Sequence, residues 1–212
     1  FSEGLKVQML YYMEVGGPFM WPIFILAILS LAVVLEKISY YFFISRDLNS
    51  KFKIKLTNLL NFGDLDEVVD FCKNYKNPVA KATIKSINHI LKEEDEFVFI
   101  NELLINDEIE KIEKRSWILG MSITAAPQLG LLGTIVGMIK SFGALSDSGD
   151  PTMVASGISE ALYTTAFGLL VAIPVLVCHV AIGVKNEKLI ESLYNLEMLL
   201  NRRFKNDKKK KA

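Results

Sequence analysis

SWILGMSITAAPQLGLLGTIVGMI, residues 116–139, runs for 24 positions without a charge. At about 1.5 Å per residue a helix of that length outreaches the roughly 30 Å hydrocarbon core of a bilayer. Two other charge-free stretches match it, Val15–Leu35 with 21 residues and Ala161–Val184 with 24. All 24 Lys+Arg and 24 Asp+Glu of the 212-residue chain are therefore crowded outside these three runs. That partition excludes a soluble enzyme domain. The chain is expected to be no enzyme and to take no nucleic-acid partner, and the bilayer is its first partner.

The stretch before Val15 carries Lys6 as its single basic residue, the apolar run is too long and no small-x-small site follows, so a cleaved signal peptide is rejected. The chain opens at Phe1, and a few native residues are expected before it. Cys72 and Cys178 offer neither a disulfide framework nor a metal spacing. They read as small apolar residues, and no cofactor or metal is expected. Orientation follows from the basic residues near the span ends. The segment 46–115 holds twelve Lys/Arg and the tail from Lys185 holds nine, against Lys6 and Lys140 on the other side. The loop and tail are expected in the cytoplasm.

The fold class is all-α: an integral membrane protein of three transmembrane helices extended into a cytoplasmic helical bundle, N-out/C-in. Its expected parts are an amphipathic outer-surface helix over 1–14, with Leu5, Met9 and Tyr12 on one face, and a first span with its cytoplasmic extension over 15–45. A cytoplasmic helical region covers 46–115, span two 116–139, an outer connection and the start of the third helix 140–160, span three 161–184, and a C-terminal helix with a basic tail 185–212. Gly16-Gly17-Pro18 breaks the first helix, and Trp21 suits the outer interface. Asp64 and Asn77-Pro78 are helix-start signals. Ile105, Ile109 and Ile112 share one face of a helix expected to run unbroken into span two. Leu189, Leu193, Leu196 and Leu200 form a 4-3-4 stripe that suits either a helix of another copy or the helix over 90–115.

Spans two and three carry the functional signal. Pro127, Gly130, Thr134, Gly137 and Ser141 fall at three- or four-residue steps, as do Gly157, Ala161, Thr165, Gly168 and Ala172. Small residues so spaced let helices approach closely in lipid, and packing is the first reading of the glycines, Gly133 included. A membrane threonine ordinarily returns its hydrogen bond to the carbonyl one turn back. Glu160 is either a hydrated interfacial carboxylate or a functional one. A short connection makes the two spans antiparallel neighbours, so Glu160, Thr165 and Thr134 can line one polar path.

APQLGLLGTIVGM (126–138) and GISEALYTTAFGLLVAIP (157–174) strongly resemble the ExbB/TolQ proton-channel proteins, with the MotA flagellar stators more distant. The run GGPFMWP (16–22) and Glu36 resemble that family's entry to its first span, and three spans favour ExbB/TolQ over the four of MotA. The resemblance implies the inner membrane of a bacterium, a homo-oligomeric ring, expected to be a pentamer, with Thr134 and Thr165 facing its lumen, and Glu160 as the third-span carboxylate. Pro127 and Pro174 correspond to helix-shaping prolines. It also implies protons as the transported ion, an ExbD- or TolR-like single-span partner whose intramembrane aspartate is the protonatable group, and a TonB- or TolA-like protein that receives the motion. Val180 stands where the family often has asparagine, beside His179, which is expected to be a hydrogen-bonded structural histidine.

Three functions stay open: ExbB-like energising of TonB-dependent outer-membrane transport, a TolQ-like or motility motor, and a passive membrane scaffold whose glycines only pack helices.

Overall fold

The computed structural model describes residues 17–43, 48–91, 96–148 and 151–211, so the surface helix expected over 1–14 lies outside the described residues. Every regular element among them is an α-helix: α1 Met20–Phe43, α2 Ser50–Phe62, α3 Leu65–Lys73, α4 Pro78–Leu91, α5 Phe97–Glu113, α6 Ser116–Ser148 and α7 Pro151–Lys211. Three helical stretches, within Met20–Phe42, Phe97–Ser146 and Val154–Lys209, are long and apolar enough to cross a membrane. They display Ile25, Leu31, Leu35, Leu131, Ile139, Leu170, Ile173 and Val177 on their surfaces. Water would not tolerate so much exposed apolar surface, and lipid favours it.

The chain forms two compact units, one of residues up to 35 with 115–181, the other of 36–114 with residues from 182 onward. In the second, Asn49 caps α2 by accepting from the Phe52 N–H at 2.8 Å, and Asn77 does the same for α4 from Ala80 at 2.8 Å. Pro78 follows as the first helical residue, where a missing N–H costs nothing. Asp64 precedes α3 in extended conformation without a side-chain cap bond. Phe52, Phe71 and Tyr75 make a ring cluster with centroids 4.7–5.5 Å apart.

Leu189, Leu193, Leu196 and Leu200 are almost fully buried in the same cluster as Phe97, Ile105 and Ile112. Of the two alternatives for that stripe, packing within the chain is the one observed. Polar groups set the register beside it. The Ser86 hydroxyl donates to Asn101 Oδ1 at 2.7 Å, and Asn101 Nδ2 donates to Asn201 Oδ1 at 2.9 Å. Cys72 is fully buried, and burial pushes its thiol up to about 12 against the opposing hydrogen bond with Thr83.

One expectation fails at the start of span two. The helix does not run unbroken: α5 ends at Glu113, Lys114 leaves the helical conformation with ψ 131° and Arg115 takes φ +64°. At this break the buried Lys37 of α1 donates its ammonium to the Ile112 carbonyl. A continuous helix would give that carbonyl to the Ser116 N–H. An ammonium at a helix C-terminus is favoured by the exposed carbonyls there, and a left-handed non-glycine residue costs about 1–3 kcal/mol.

Glu108, 5% exposed, sits between Lys85 Nζ at 2.7 Å and Lys111 Nζ at 3.0 Å. Burial pushes its carboxyl up, but the two lysines outweigh that and hold it below the usual carboxylate range. Lys85→Met or Lys111→Met alone should cost about 1 kcal/mol or less, since the other lysine keeps the carboxylate paired. The double variant leaves a buried charge alone, at about 3–5 kcal/mol. Thermal unfolding of the three variants checks this, and strictly additive losses would refute the shared pairing.

Candidate functional site

The site is built where α6 and α7 approach within backbone contact. A Cβ added at Gly130 would lie 2.9 Å from both the Thr164 carbonyl oxygen and Thr165 Cα. At Gly168 it would meet the Ala126 carbonyl oxygen at 2.5 Å, and at Gly137 the Ala161 Cβ at 2.7 Å. Gly133 lies against the Thr164 methyl, at 2.7 Å by the same measure. These contacts run antiparallel, from Ser141 against Gly157 to Ala126 against Gly168. Such closeness draws on dispersion and short polar contacts, the forces that associate helices where water is absent.

Within this contact Thr134 and Thr165 meet side chain to side chain, their hydroxyls hydrogen-bonded to one another. Thr134 Oγ1 also lies 3.2 Å from the carbonyl oxygens of Gly130 and Ala161, and Thr165 Oγ1 lies 2.9 Å from that of Gly130. Thr134 thus reaches the carbonyl one turn back on its own helix, as a membrane threonine ordinarily does. Thr165 instead crosses to the other helix. Each hydroxyl has one proton to give. Thr134 can donate to Thr165 while Thr165 donates to Gly130. Equally, Thr165 can donate to Thr134 while Thr134 donates to Gly130 or Ala161. Both directions use the same heavy-atom positions, so this two-hydroxyl chain can reverse without moving a side chain.

Glu160 does not join the pair. Five residues before Thr165, it is turned about 140° around the helix at 3.6 residues per turn. It is exposed, and its Oε1 lies 3.3 Å from where a Gly17 side chain would begin. Gly17 has φ +71°, a conformation that suits glycine, and its carbonyl accepts from the Met20 N–H at 3.2 Å as α1 starts. Pro127 and Pro174 both sit inside helices, and Pro127 Cα lies against Gly168, 3.4 Å from an added Cβ. Lacking N–H groups, they leave the carbonyls of Ile123 and Leu170 without their helical donors.

Thr164 went unnoticed in the sequence. It is 1% exposed and contributes both carbonyl and methyl to the seam with Gly130 and Gly133. Its signal was the 161-164-168-171 spacing of buried positions, masked by the neighbouring Thr165. His179 departs from expectation: its Nδ1 is buried with no hydrogen-bond partner among the described residues, as is Ser116 Oγ. No group of three or more His, Cys, Asp or Glu gathers into a metal site among the described residues.

The model of the MotA/TolQ/ExbB proton channel family matches residues 72–195, which include the whole α6–α7 seam. An ExbB homolog from Methanothermobacter thermautotrophicus is 31% identical over 158 residues, 74% of this chain and 57% of its own length. The Tol-Pal system protein TolQ of Haemophilus influenzae is 43% identical over 79 residues, 36% of this chain and 35% of its own. A biopolymer transport protein ExbB-like 1 from Synechocystis is 28% identical over 183 residues, 82% of this chain and 70% of its own. The match thus spans little more than half of the first relative and about a third of the second.

Proposed function

This chain belongs to the MotA/TolQ/ExbB proton channel family, and on that premise we propose that it is the ring-forming subunit of an inner-membrane motor that converts proton motive force into mechanical work. The observation that carries the reading is the reversible hydroxyl chain of Thr134 and Thr165. A proton handed to one hydroxyl, while the other gives its own to a carboxylate brought beside it in place of its carbonyl acceptor, leaves such a chain reversed, and it resets by hydroxyl rotation alone. Neither threonine holds a charge, the runs 116–139 and 161–184 contain no acid, and Glu160 stands aside from the threonine pair, so in this proposal the protonatable carboxylate beside the hydroxyls comes from another chain.

In this proposal several copies, five by the resemblance, surround the single-span helices of an ExbD- or TolR-like partner bearing an aspartate. The N-terminus faces the periplasm, protons enter near Glu160, and the partner's aspartate is served by the threonine hydroxyls while charged and released from them when neutral. Each elementary charge crossing contributes about 2.3 kcal/mol per 100 mV, so a few protons drive a sizeable conformational step. The chain itself makes and breaks no covalent substrate bond, and its ion is the proton with no further cofactor.

The destination of the motion is ExbB-like, a TonB-like protein energising outer-membrane transport. The identity shared with a Tol-Pal protein over 79 residues supports a second destination, a TolA-like protein serving the envelope. Native mass spectrometry of the complex from its own membranes tests both. A multimer holding a single-span protein with an intramembrane aspartate is the expected result, and its third component selects the destination. A homo-oligomer without such a protein, and no proton flux through it alone or with any partner added, would reduce the chain to a scaffold.

A further inference from the structure

We propose that the groove between α2 and α7 in the second unit docks an acidic segment of a partner protein, with apolar side chains seated at one end and carboxylates at the other. The inference goes beyond the motor reading and does not depend on it.

Two open cavities, of about 350 and 360 Å³, follow one another along the same two helices. The first lies between Lys53, Leu56 and Thr57 of α2 and Ser192, Leu196 and Met198 of α7. The second lies between Leu60, Asn61 and Phe62 of α2 and Arg202, Arg203 and Asn206 of α7. Here the helices are tied together: Arg202 donates to Asn61 Oδ1, and Arg203 Nη1 donates to the Leu60 carbonyl at 3.2 Å. From Ser192 to Asn206 the groove follows roughly 21 Å of α7, long enough for a short segment of another chain.

The two ends differ in chemistry. At the first, Leu56 and Leu196 are buried and Met198 is 64% exposed beside them. At the second, Phe62 ends α2 and is 89% exposed. Arg202, Lys205 and Lys209 fall at steps of three and four and share one face of α7. None of the three pairs with an acid among the described residues, and Asp207, the acid between them in sequence, is held by Arg203 at 3.0 Å. Lipid headgroups do not reach these cations. Arg202 is 18 residues past Val184 on one helix, roughly 27 Å, whereas the headgroup layer extends only about 5–8 Å beyond the hydrocarbon. Exposed apolar side chains outside the bilayer mark a docking surface, and a thioether adapts to what packs on it. Carboxylates answer the three cations while apolar side chains answer Met198 and Phe62, a combination that belongs to a protein segment. A nucleic acid would serve the cations but leave the apolar end around Met198 uncovered.

The test uses the full chain in lipid nanodiscs and two fluorescent peptides. One has leucines in its first half and glutamates in its second, and the other has lysines in place of the glutamates. The acidic peptide should bind at least about tenfold more tightly than the basic one. Phe62→Ser should weaken it about tenfold and Lys205→Glu about fivefold, and both replace exposed side chains that hold nothing in the fold. Lys114→Glu makes the same change of charge at a residue that lines neither cavity, and should leave the affinity as it was. An equal loss in Lys114→Glu, or none in Phe62→Ser, would reduce the binding to general attraction and overturn the groove. A single-stranded oligonucleotide that displaces the acidic peptide, and itself loses affinity in Lys205→Glu, would overturn the protein segment in favour of nucleic acid. Equal binding of the two peptides, or binding of neither, would also overturn the proposal.

Discussion

Gly168→Leu is expected to leave no intact α6–α7 pair. The first side-chain carbon would fall 2.5 Å from the Ala126 carbonyl oxygen and 3.2 Å from its carbon. Those are backbone atoms, which no rotamer change can clear, so the helices must separate. Overpacking ordinarily costs about 1–3 kcal/mol, and a collision with backbone belongs at or above the upper end. Separation also parts Thr134 from Thr165. The protein should be lost from the membrane or melt far below wild type in detergent. Smaller substitutions should grade with the atom they meet. Gly157→Ala displaces Ser141 Oγ, which can rotate away at the loss of its 2.8 Å bond to the Gly137 carbonyl, about 1 kcal/mol. Gly143→Ala meets nothing within 4 Å and should be neutral or stabilising by about 0.5–1 kcal/mol. A Gly168→Leu protein with wild-type melting would refute the backbone contact.

Thr165→Val should fold and assemble almost normally and lose proton-driven output about a hundredfold or more, the scale at which a positioned proton-transfer group contributes. Valine keeps the shape and removes one hydroxyl. Nothing is stranded, because Thr134 retains the Gly130 and Ala161 carbonyls at 3.2 Å as acceptors. The stability loss is therefore that of an ordinary hydrogen bond, about 1 kcal/mol. What disappears is the reversible chain, since Thr134 alone has no hydroxyl to pass a proton to. Thr165→Ser keeps the hydroxyl and should retain much of the output. Proton flux in vesicles with the partner present, beside a melting curve, reads both quantities. Wild-type flux in Thr165→Val would remove this residue from the path.

The three apolar stretches were legible because a charge-free run is a property of the segment itself and the bilayer imposes its length. The small-residue stripes were legible for a similar reason: spacing fixes a helical face. What covers a face is another matter. The leucines from 189 to 200 announced a buried stripe, but their partners in α5 lie on the far side of α6 in sequence. Nothing near Arg115 in sequence announced the break there, and Lys37, which takes the Ile112 carbonyl, stands 75 residues from it. Thr165 had a local acceptor on its own helix, so nothing in the spacing announced that its hydroxyl would cross to Gly130. Glu160 was grouped with the threonines because spans two and three are antiparallel neighbours, and the angle around α7 turns it away from their contact.

The two kinds of packing in this chain should respond to cold in opposite ways. The cluster of Phe52, Leu60, Phe97, Leu193 and Leu200 is stabilised by apolar surface withdrawn from water, a contribution that weakens on cooling. The glycine seam between α6 and α7 displaces no water from apolar groups, because lipid already surrounds them. It carries little of the heat-capacity change that dehydration brings, and its dispersion contacts and hydroxyl bonds are not weakened as temperature falls. At low temperature the helices of the second unit would loosen while the threonine pair stays closed.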